Sequence, residues 1–410
     1  MTKLSISTTR VKFGDVAINS TTVSADPEAE GFDRYIIGKH IPEDADRIET
    51  WGPVGDSDFG PRIRTIFQPG DVICTTRGPK LKVARVDFKG LGAHTNFYLR
   101  TADPEVLLQP YLEAVVRSNG FQQHLVNNFR GSVNLFVNWS DAAKYEFALP
   151  PLEEQRRIAE VLQAMEVSNN RLQTLAEKSA KMLEADLVAT LEHGPDPLRE
   201  QPRLPKGWTF TPLGDLISIR HGFAFDGKCF TEEATDDPIL LTPGNFSETG
   251  ELKFPADKTK RFNGDAPDGF WLQPGDLAVL MTDLTPTAFL LGVPGVVTDS
   301  TGPILQNQRI GLVENLAPER VSDRFLFYSF LGQQLRRMIR ALSAGTTVHH
   351  TSPKDICSLR IPLPPAKEQI ALCRRWDAIA SSRRNAVDRL ADARVMQRTA
   401  LLSALPRGEQ

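Results

Sequence analysis

Cysteine is scarce in this 410-residue chain, and the four that occur, Cys74, Cys229, Cys357 and Cys373, form no CxxC pair. Zinc sites and dithiol redox sites need closely spaced cysteines, so this spacing favours free thiols in a reducing compartment. Long apolar runs are also missing: no segment approaches about 18 uninterrupted apolar residues. The first residues, MTKLSISTTR, lack the apolar core of a secretory signal. We therefore expect a cytoplasmic protein that does not enter the membrane.

Catalytic signatures are equally sparse. The phosphate-binding GxxxxGK[ST] loop is absent, as are GxGxxG, GxSxG and HExxH. Pro150-Pro151 follows Leu149, whereas the tetrapeptide of an amino-methyltransferase would place Asn or Asp there. His349-His350 and Glu251-Leu252-Lys253 are short fragments that resemble parts of metal or nuclease sites. Neither fragment has a surrounding carboxylate cluster in sequence, so we predict that the chain is not an enzyme and binds no metal.

Excess positive charge is absent too. The formal net charge is -3 and the isoelectric point is about 6.2. Binding to nucleic acid usually requires a basic surface that neutralises phosphates, so this balance weighs against a chain that binds DNA unaided. It leaves room for local basic faces, or for a partner that supplies the positive charge.

What the sequence does contain is an internal repeat. Residues 149–155 (LPPLEEQ) match residues 363–369 (LPPAKEQ) at an offset of 214, and Gly131 and Asp141 match Gly345 and Asp355 at the same offset. The turn QPGD at 68–71 recurs at 273–276, and the tripeptide FGD at 13–15 recurs as LGD at 213–215. The offset rises from 200 to 214 along the chain, as loop insertions in the second copy would produce. The chain therefore contains two copies of one unit.

Each copy reads as a globular segment followed by one long helix. Short β-type runs separated by Gly, Pro, Asn and Asp, such as 71–76, 82–86 and 276–281, alternate with helical patches near 110–127 and 324–342. This mixture predicts an α+β fold for each globular segment. Pro150-Pro151 opens a stretch without Pro or Gly that continues to Glu192, which predicts a helix of roughly 60 Å. A second such helix follows Pro365.

The two long helices carry complementary features. Apolar residues recur at heptad-like spacing in both, at Ile158, Met165, Leu172, Leu175, Leu372, Trp376, Ile379 and Leu390. Residues 151–192 hold eight acidic against five basic residues, whereas seven arginines outnumber the acids of the second helix. Opposite charge favours pairing of one helix with the other over self-association. We predict that they pair within the chain.

The order of head, helix, head, helix resembles the specificity subunits of type I restriction-modification systems over nearly the whole sequence. The most specific marks are the repeated LPPxxEQ segments, the residues 207–208 (GW) before 213–215 (LGD), the run 222–225 (GFAF), and the two QPGD turns. The first half departs from the pattern because no Trp precedes Phe13 and no GxxF follows, which leaves the subtype of that head open.

The resemblance implies two target recognition domains, at 1–149 and 207–362, spacer helices at 150–193 and 363–406, and a linker at 194–206. It implies that the helices form an antiparallel coiled coil, and that the chain reads a bipartite, asymmetric site in double-stranded DNA. It further implies docking to methyltransferase subunits, two of them by expectation, and in some complexes to a restriction subunit. S-adenosylmethionine would bind the methyltransferase, with no cofactor in this chain.

Base readout needs polar or cationic side chains on exposed loops. The candidates in the first head are Arg77, Lys80, Lys82 and Arg85, which flank a Gly-Pro turn. The candidates in the second head are Arg220, His221, Lys258, Lys260, Arg261, Thr346, His349 and His350. The segment around Thr346 precedes its long helix as residues 132–136 do in the first half. Ordinary surface charge is the alternative interpretation for each of them.

Two other functions stay open at this point. The chain could be a protein-binding scaffold of another defence assembly, and the acidic isoelectric point slightly favours this alternative. It could also be an unrecognised nuclease or transferase, supported only by the Glu251 and His349 fragments. Binding to duplex DNA in the presence of a partner separates the first alternative from a DNA reader.

Overall fold

A computed structural model describes residues 8–43, 46–78, 81–132, 134–192, 204–233, 235–299, 302–345 and 348–404. Its contacts divide the chain into two compact units. Unit 1 comprises residues 1–174 with 386–410, and unit 2 comprises residues 175–385. Each unit therefore holds one globular head and part of both long helices.

The first head and its long helix contain ten strands and five helices among the described residues. The strands are β1 Thr9–Lys12, β2 Ala17–Asn19, β3 Arg34–Ile36, β4 Gly52–Pro53, β5 Ile63–Phe67, β6 Val72–Thr75, β7 Val83–Arg85, β8 Gly90–Ala93, β9 Asn96–Thr101 and β10 Glu146–Leu149. The helices are α1 Phe13–Val16, α2 Gln109–Arg117, α3 Asn119–Asn127, α4 Trp139–Ala142 and α5 Leu152–Leu191, with a 3₁₀ turn at Gly38–His40.

The described part of the second copy has thirteen strands and four helices. The strands are β11 Thr209–Pro212, β12 Ile217–His221, β13 Phe230–Thr231, β14 Ile239–Leu241, β15 Arg261–Phe262, β16 Trp271–Leu272, β17 Leu277–Leu280, β18 Thr282–Asp283, β19 Pro294–Val296, β20 Ile304–Gln306, β21 Ile310–Asn315, β22 His349–His350 and β23 Arg360–Leu363. The helices are α6 Asp323–Leu331, α7 Gln333–Ala341, α8 Pro353–Ser358 and α9 Ala366–Ala404, with 3₁₀ turns at Leu213–Asp215, Gly227–Cys229 and Pro243–Asn245.

The sheets of the two heads share a common plan, although the second sheet has four strands in the first head and five in the second. One four-stranded sheet has the order β2-β9-β6-β7 in the first head and β12-β21-β17-β19 in the second. A second sheet contains a parallel pair in each head, β3 with β8 and β14 with β20. In both heads a short antiparallel ladder, β1 with β10 and β11 with β23, joins the first strand to the residues before the long helix. This architecture confirms the predicted duplication of an α+β head.

Apolar side chains from the sheet and the helix pair form the core of each head. In the first head Leu99 on the sheet and Leu112 and Phe121 on the helices belong to one buried cluster. In the second head Val279 and Phe325 occupy the corresponding cluster. Helix α6 begins at Ser322, whose hydroxyl accepts a hydrogen bond from the Phe325 amide at 3.2 Å, as expected of an N-cap.

The repeated glutamine of LPPxxEQ fastens each head to its long helix. The side chain of Gln155 is buried, accepts a hydrogen bond from the Leu108 amide at 2.9 Å, and donates to the carbonyls of Val106 and Pro150 at 2.9 Å each. Gln369 repeats this pattern with the Ser322 amide and the carbonyls of Arg320 and Pro364. A glutamine amide both accepts and donates, so it satisfies three backbone groups at once, which a carboxylate or an apolar side chain could not.

The long helices run antiparallel to each other within each unit. In unit 1, Asn169 donates to the Gln397 side chain at 2.7 Å, and Arg394 donates to Gln173 at 3.3 Å, so higher numbers in α5 meet lower numbers in α9. In unit 2 the carboxylate of Asp186 accepts hydrogen bonds from Arg375 at 2.8 Å and from the Trp376 indole at 2.7 Å. These contacts confirm that the acidic helix pairs with the basic one.

Most of the predicted seam residues are buried or half-buried, and one is exposed; Ile158, Leu372 and Trp376 also belong to the core clusters of the heads. Ile158, Leu372 and Trp376 are buried, and four others are half-buried: Met165, Leu172, Ile379 and Leu390. Leu175 is 46% exposed, which corrects its assignment to the seam. The buried stripe continues from Leu172 through Ala176 and Ser179 to Leu183, so the shift in heptad register comes earlier than the apolar pattern suggested.

Candidate nucleic-acid interface

Three chain segments meet at the same place in each head, and we call this place the tip. The tip of the first head comprises residues 76–78, the turn at 94–95, and the hairpin at 130–136. The tip of the second head comprises residues 281–283, the turn at 307–309, and the hairpin at 344–350. Residues 133, 346 and 347 within these hairpins lie outside the described part of the chain.

Equivalent backbone hydrogen bonds build both tips. The Thr76 amide donates to the Thr95 carbonyl at 3.2 Å, and the Val137 amide donates to the Thr76 carbonyl at 3.1 Å. In the second head the Met281 amide donates to the Arg309 carbonyl at 3.0 Å, and Thr351 donates to Met281 at 3.0 Å. The segment that follows β6 or β17 is thus hydrogen-bonded on one side to the turn at 94–95 or 307–309 and on the other to the end of the hairpin.

A glycine at the same repeat position shapes each tip hairpin. Gly131 has φ of +95° and Gly345 has φ of +103°, a region that L side chains rarely adopt. A Cβ atom on Gly345 would also lie 2.0 Å from the Val348 carbonyl oxygen. The hairpin closes through paired amide and carbonyl groups of Arg130 with Phe136, and of Ala344 with His350. The glycine match at offset 214 therefore marks a structural turn that presents its neighbours at the tip.

In the first head, Arg77 is the predicted contact that lies at the tip. Its side chain is exposed, and its guanidinium carbon is 5.9 Å from the centroid of the Phe136 ring. Two further polar side chains share this surface, His94 and Arg130. Arg130 is 56% exposed and pairs with Asp141 at 2.7 Å. Hydrogen bonds from Lys144 and Arg130 lower the pKa of Asp141, so the carboxylate stays charged and positions the arginine.

The side chains of Arg85 and Lys82 are both paired with carboxylates, and the Lys82 backbone lies beside Thr75, directly before the tip. The Arg85 guanidinium contacts Glu113 at 2.8 Å and Glu166 at 3.2 Å, and the side chain is only 19% exposed. Arg85 is therefore part of an internal ion network, which corrects its prediction as a base contact. Lys82 contacts Glu43 at 3.4 Å and is 26% exposed. Lys80 lies outside the described residues.

In the second head, the two predicted histidines lie on strand β22, which pairs with β18 at the tip. His350 is exposed, and its Nδ1 atom is 2.9 Å from the Thr282 hydroxyl. His349 is half-buried, and its Nε2 atom has no hydrogen-bond partner among the described atoms. Thr346 lies outside the described residues.

His221 ends β12 beside the tip, where it pairs with Gly311, whereas the Arg220 side chain donates to the Gly269 carbonyl and lies 5.7 Å from the centroid of the Phe270 ring. The Gln308 amide donates to the Phe223 carbonyl at 2.9 Å, which places the end of β12 beside the turn at 307–309. His221 is exposed, whereas Arg220 contacts Glu314 at 3.4 Å. Lys258, Lys260 and Arg261 lie elsewhere: Arg261 begins β15, which runs between β13 and β14 in the five-stranded sheet, and the two lysines precede it. Lys260 there stands 5.9 Å from the Phe230 ring.

The sequence predictions missed His94, and they left Gln308, together with Asn307 and Arg309, equally consistent with base readout and with a structural role. His94 and Gln308 are exposed and are equivalent residues of the two tip turns. The offset of 214 relates them, and each precedes the strand that pairs with the central strand of its sheet. An alignment of the two copies by position, including positions where the residue types differ, could have found them. His and Gln can both donate and accept hydrogen bonds at base edges.

The described residues contain no cluster of three His, Cys, Asp or Glu side chains that could hold a metal ion. Glu251 belongs to the Glu-Leu-Lys fragment that resembles part of a nuclease site, and its carboxylate pairs with Arg383 at 2.9 Å. Within the same ranges, we find no helix whose length and hydropathy would let it cross a lipid bilayer.

Comparison with protein families places a known domain on the second copy. The profile described as "Type I restriction modification DNA specificity domain" matches residues 205–374. The type I restriction enzyme MjaVIII specificity subunit of Methanocaldococcus jannaschii is 24% identical over 239 residues, which cover 56% of this chain and 54% of that protein. The EcoBI specificity subunit of Escherichia coli is 25% identical over 177 residues, or 42% of this chain and 32% of that protein. The chain thus spans about half, or less, of the curated relatives it matches.

Solved structures resemble the fold over nearly the full length. One, titled for complex assembly and conformational transition of the type I R-M system, has a TM-score of 0.58 at 21% identity and covers 98% of this chain and 99% of its own. The type I restriction-modification S subunit from M. genitalium also has a TM-score of 0.58, at 13% identity, with 100% and 99% covered. Both likenesses confirm the predicted class, α+β heads joined with long helices.

Proposed function

Since the chain belongs to the family of type I restriction-modification specificity subunits, we propose that it selects the DNA sequence on which such a complex acts. The chain reads double-stranded DNA and performs no catalysis itself. The observation that carries this proposal is the DNA specificity domain over residues 205–374, which covers the second head with its tip. The duplication extends the same role to the first head.

The proposed target is bipartite and asymmetric. Each head offers one tip, and side chains at equivalent positions of the two tips differ in chemistry: His94 corresponds to Gln308, and the hairpin residues Leu135 and Phe136 correspond to His349 and His350. Donors and acceptors of different geometry select different base edges in the major groove. Each tip therefore specifies its own short block, and the long helices set the unspecified length between the blocks.

Catalysis belongs to partners in this proposal. Two methyltransferase subunits dock on the chain and hold S-adenosylmethionine, and a restriction subunit joins in complexes that also cleave. A net charge of -3 supports this division, because the chain as a whole carries no surplus of positive charge for phosphates. The partners then supply much of the phosphate contact, and this chain supplies base choice.

Exchange of one head tests the proposal. Residues 207–362 are replaced with the corresponding head of another specificity subunit, the chimera is expressed with its methyltransferase, and methylated positions are mapped in genomic DNA. We expect the block read by the exchanged head to change. The other block, and the methylated base that belongs to it, should stay the same. A chimera that alters both blocks, or that folds and methylates the original site, contradicts the modular reading.

The scaffold alternative is not favoured, because the matched domain is described as a DNA specificity domain. It predicts that the complex binds duplexes with and without the target equally. The proposed function predicts a preference for the target of at least about a thousandfold.

A further inference from the structure

The two heads differ at one equivalent place, where the head faces the paired long helices of its own unit. In unit 1 a small pocket of about 80 Å³ lies between helix α2 and the helices α5 and α9. In unit 2 the equivalent space, between α6 and the same two helices, is a cavity of about 550 Å³. The offset of 214 that relates α2 to α6 and α5 to α9 relates the residues that line them.

A network of charged side chains fills this place in the first head. Arg85 contacts Glu113 at 2.8 Å and Glu166 at 3.2 Å. Arg117 contacts Glu113 at 3.0 Å and Asp46 at 3.1 Å. Glu166, on the long helix, is 8% exposed in its side chain. Long, mutually paired side chains leave little free volume there.

Small and apolar residues replace this network in the second head. Phe327 stands at the position of Glu113, Leu331 at that of Arg117, and Ala380 at that of Glu166. Val296 pairs with Leu277 on the central strand as Arg85 pairs with Val72. All four replacement residues line the larger cavity. The second copy thus has no counterpart of the side chains that fill the first pocket, and the residues at these four positions are apolar.

The larger cavity also contains an arginine with no cationic counterpart at the same repeat position of the first head. Arg336 lines it and is 4% exposed, whereas the equivalent residue of the first head is the neutral Gln122. The Nε atom of Arg336 has no hydrogen-bond partner among the described atoms, and one Nη atom donates to the Phe289 carbonyl. Burial lowers the pKa of this guanidinium to about 10. Glu248, Asp283 and Glu184 act favourably on this charge and Arg340 opposes it, but Arg336 forms no ion pair among the described residues. A buried charge without a paired anion is costly, so an anion in contact with it would be stabilised.

The other charged groups of the lining are either paired or at the exposed edge. Arg383 contacts Glu251 at 2.9 Å, and Arg324 pairs with Asp377. Glu184, Glu248, Lys181 and Arg384 are exposed. The interior of the cavity therefore combines apolar walls from Leu187, Val296, Phe327 and Leu331 with the single buried charge of Arg336.

We propose that this cavity binds a small amphipathic anion, with its carboxylate or similar group at Arg336 and its apolar part against α6 and the long helices. A volume of about 550 Å³ falls in the range of small-molecule sites, which is roughly 300–1,000 Å³. The ligand would join α6 to the helix pair in unit 2, where the first head uses its own ion network. The site is distinct from the tip and does not depend on DNA recognition.

Calorimetric titration of the full-length protein with sodium decanoate, below its micelle concentration, tests the proposal. Decyltrimethylammonium, which has the same tail and the opposite charge, is titrated in parallel. We expect saturable binding of one decanoate per chain and no saturable binding of the cation. Arg336→Gln, which installs the residue of the first head, should weaken decanoate binding at least tenfold.

Two further variants keep the test decisive. Arg337→Gln alters the neighbouring arginine, which is 58% exposed and pairs with Glu192, and should leave the affinity within twofold. Ala380→Phe should fill the cavity and abolish binding without removing any charge. The proposal is overturned if decanoate does not saturate, if the cation binds equally well, or if Ala380→Phe folds with unchanged thermal stability and binds decanoate as the parent does.

Discussion

Single side chains in this protein carry one of two roles, and burial separates them. Arg85 and Arg77 are both arginines near the same turn of the first head, yet Arg85 is bound to two glutamates while Arg77 is exposed at the tip. A guanidinium already paired inside a head cannot offer its fork of donors to a base without breaking those contacts. The exposed arginine is therefore the better candidate for readout.

Replacing Arg77 with alanine should weaken binding to the target duplex about tenfold, because one good base contact contributes roughly 1–3 kcal/mol. The measurement is fluorescence anisotropy of labelled duplex with the chain and its methyltransferase partner. Arg10→Ala is the matched control, since Arg10 is an exposed arginine of the same head that pairs with Glu146 on the β1–β10 ladder. Equal affinities of the two variants would remove Arg77 from the interface.

The paired glutamines predict a stability effect at the same scale. Gln155→Ala and Gln369→Ala each leave three backbone groups without their partner, one of them in a buried hydrogen bond and two in part-buried ones. An unsatisfied buried group costs about 1–3 kcal/mol, and a part-buried one costs less. We expect each variant to lower the free energy of unfolding of its own unit by about 2–4 kcal/mol. Hydrogen exchange at the residues around Leu108 or Ser322 reports the loss locally. Arg156→Ala, an exposed neighbour on α5, should have no comparable effect.

Among the elements, the long helices owe their pairing to a narrow seam and to a few polar contacts within it. Small residues such as Ala176 and Ser179 alternate with leucines, and Asn169 meets Gln397 inside the seam of unit 1. A polar pair at such a position restricts the register in which two helices can pack. The charge difference between the helices acts in addition, as Asp186 with Arg375 illustrates.

Asp186→Ala should loosen the helix pair of unit 2. The change leaves the indole N–H of the fully buried Trp376 and the Nε–H of Arg375 without their acceptor, while Arg375 keeps its contact with Thr190. We expect this to cost about 2 kcal/mol. Faster hydrogen exchange in residues 180–191 and 370–380 would show it, while Glu160→Ala on the exposed face of α5 should leave exchange there unchanged. Unaltered exchange in Asp186→Ala would mean that the apolar seam alone holds these segments.

At the scale of the whole molecule, the balance of charge limits how the chain can grip DNA. With 48 basic and 51 acidic residues, the chain has few cations to spare once its internal ion pairs are formed. Long-range attraction to phosphates must come from small basic areas or from partner subunits. Specificity and affinity are therefore divided between different chains of the proposed complex.

This division predicts a difference in salt dependence. The logarithm of the DNA association constant falls with the logarithm of salt concentration by about 0.9 per neutralised phosphate. The association constant is measured from about 50 to about 300 mM KCl, a range over which added salt progressively screens charge. We expect a shallow slope for the chain alone and a slope steeper by several units with its methyltransferase. Equal slopes would place the phosphate contacts in this chain and contradict the proposed division.

The sequence by itself determined the duplication, the α+β character of the heads and the course of the long helices. Repeat spacing, turn residues and helix periodicity are local properties that can be read without knowledge of the fold. The repeated glycines and glutamines identified individual equivalent positions in the two copies. Only the tertiary structure decided that Arg85 is internal, that Leu175 leaves the seam, and that His94 and Gln308 share a tip with Arg77 and His350, respectively. The reason is physical: an ion pair, a seam position or a convergent surface depends on through-space distance between residues far apart in the chain, which composition and spacing do not encode.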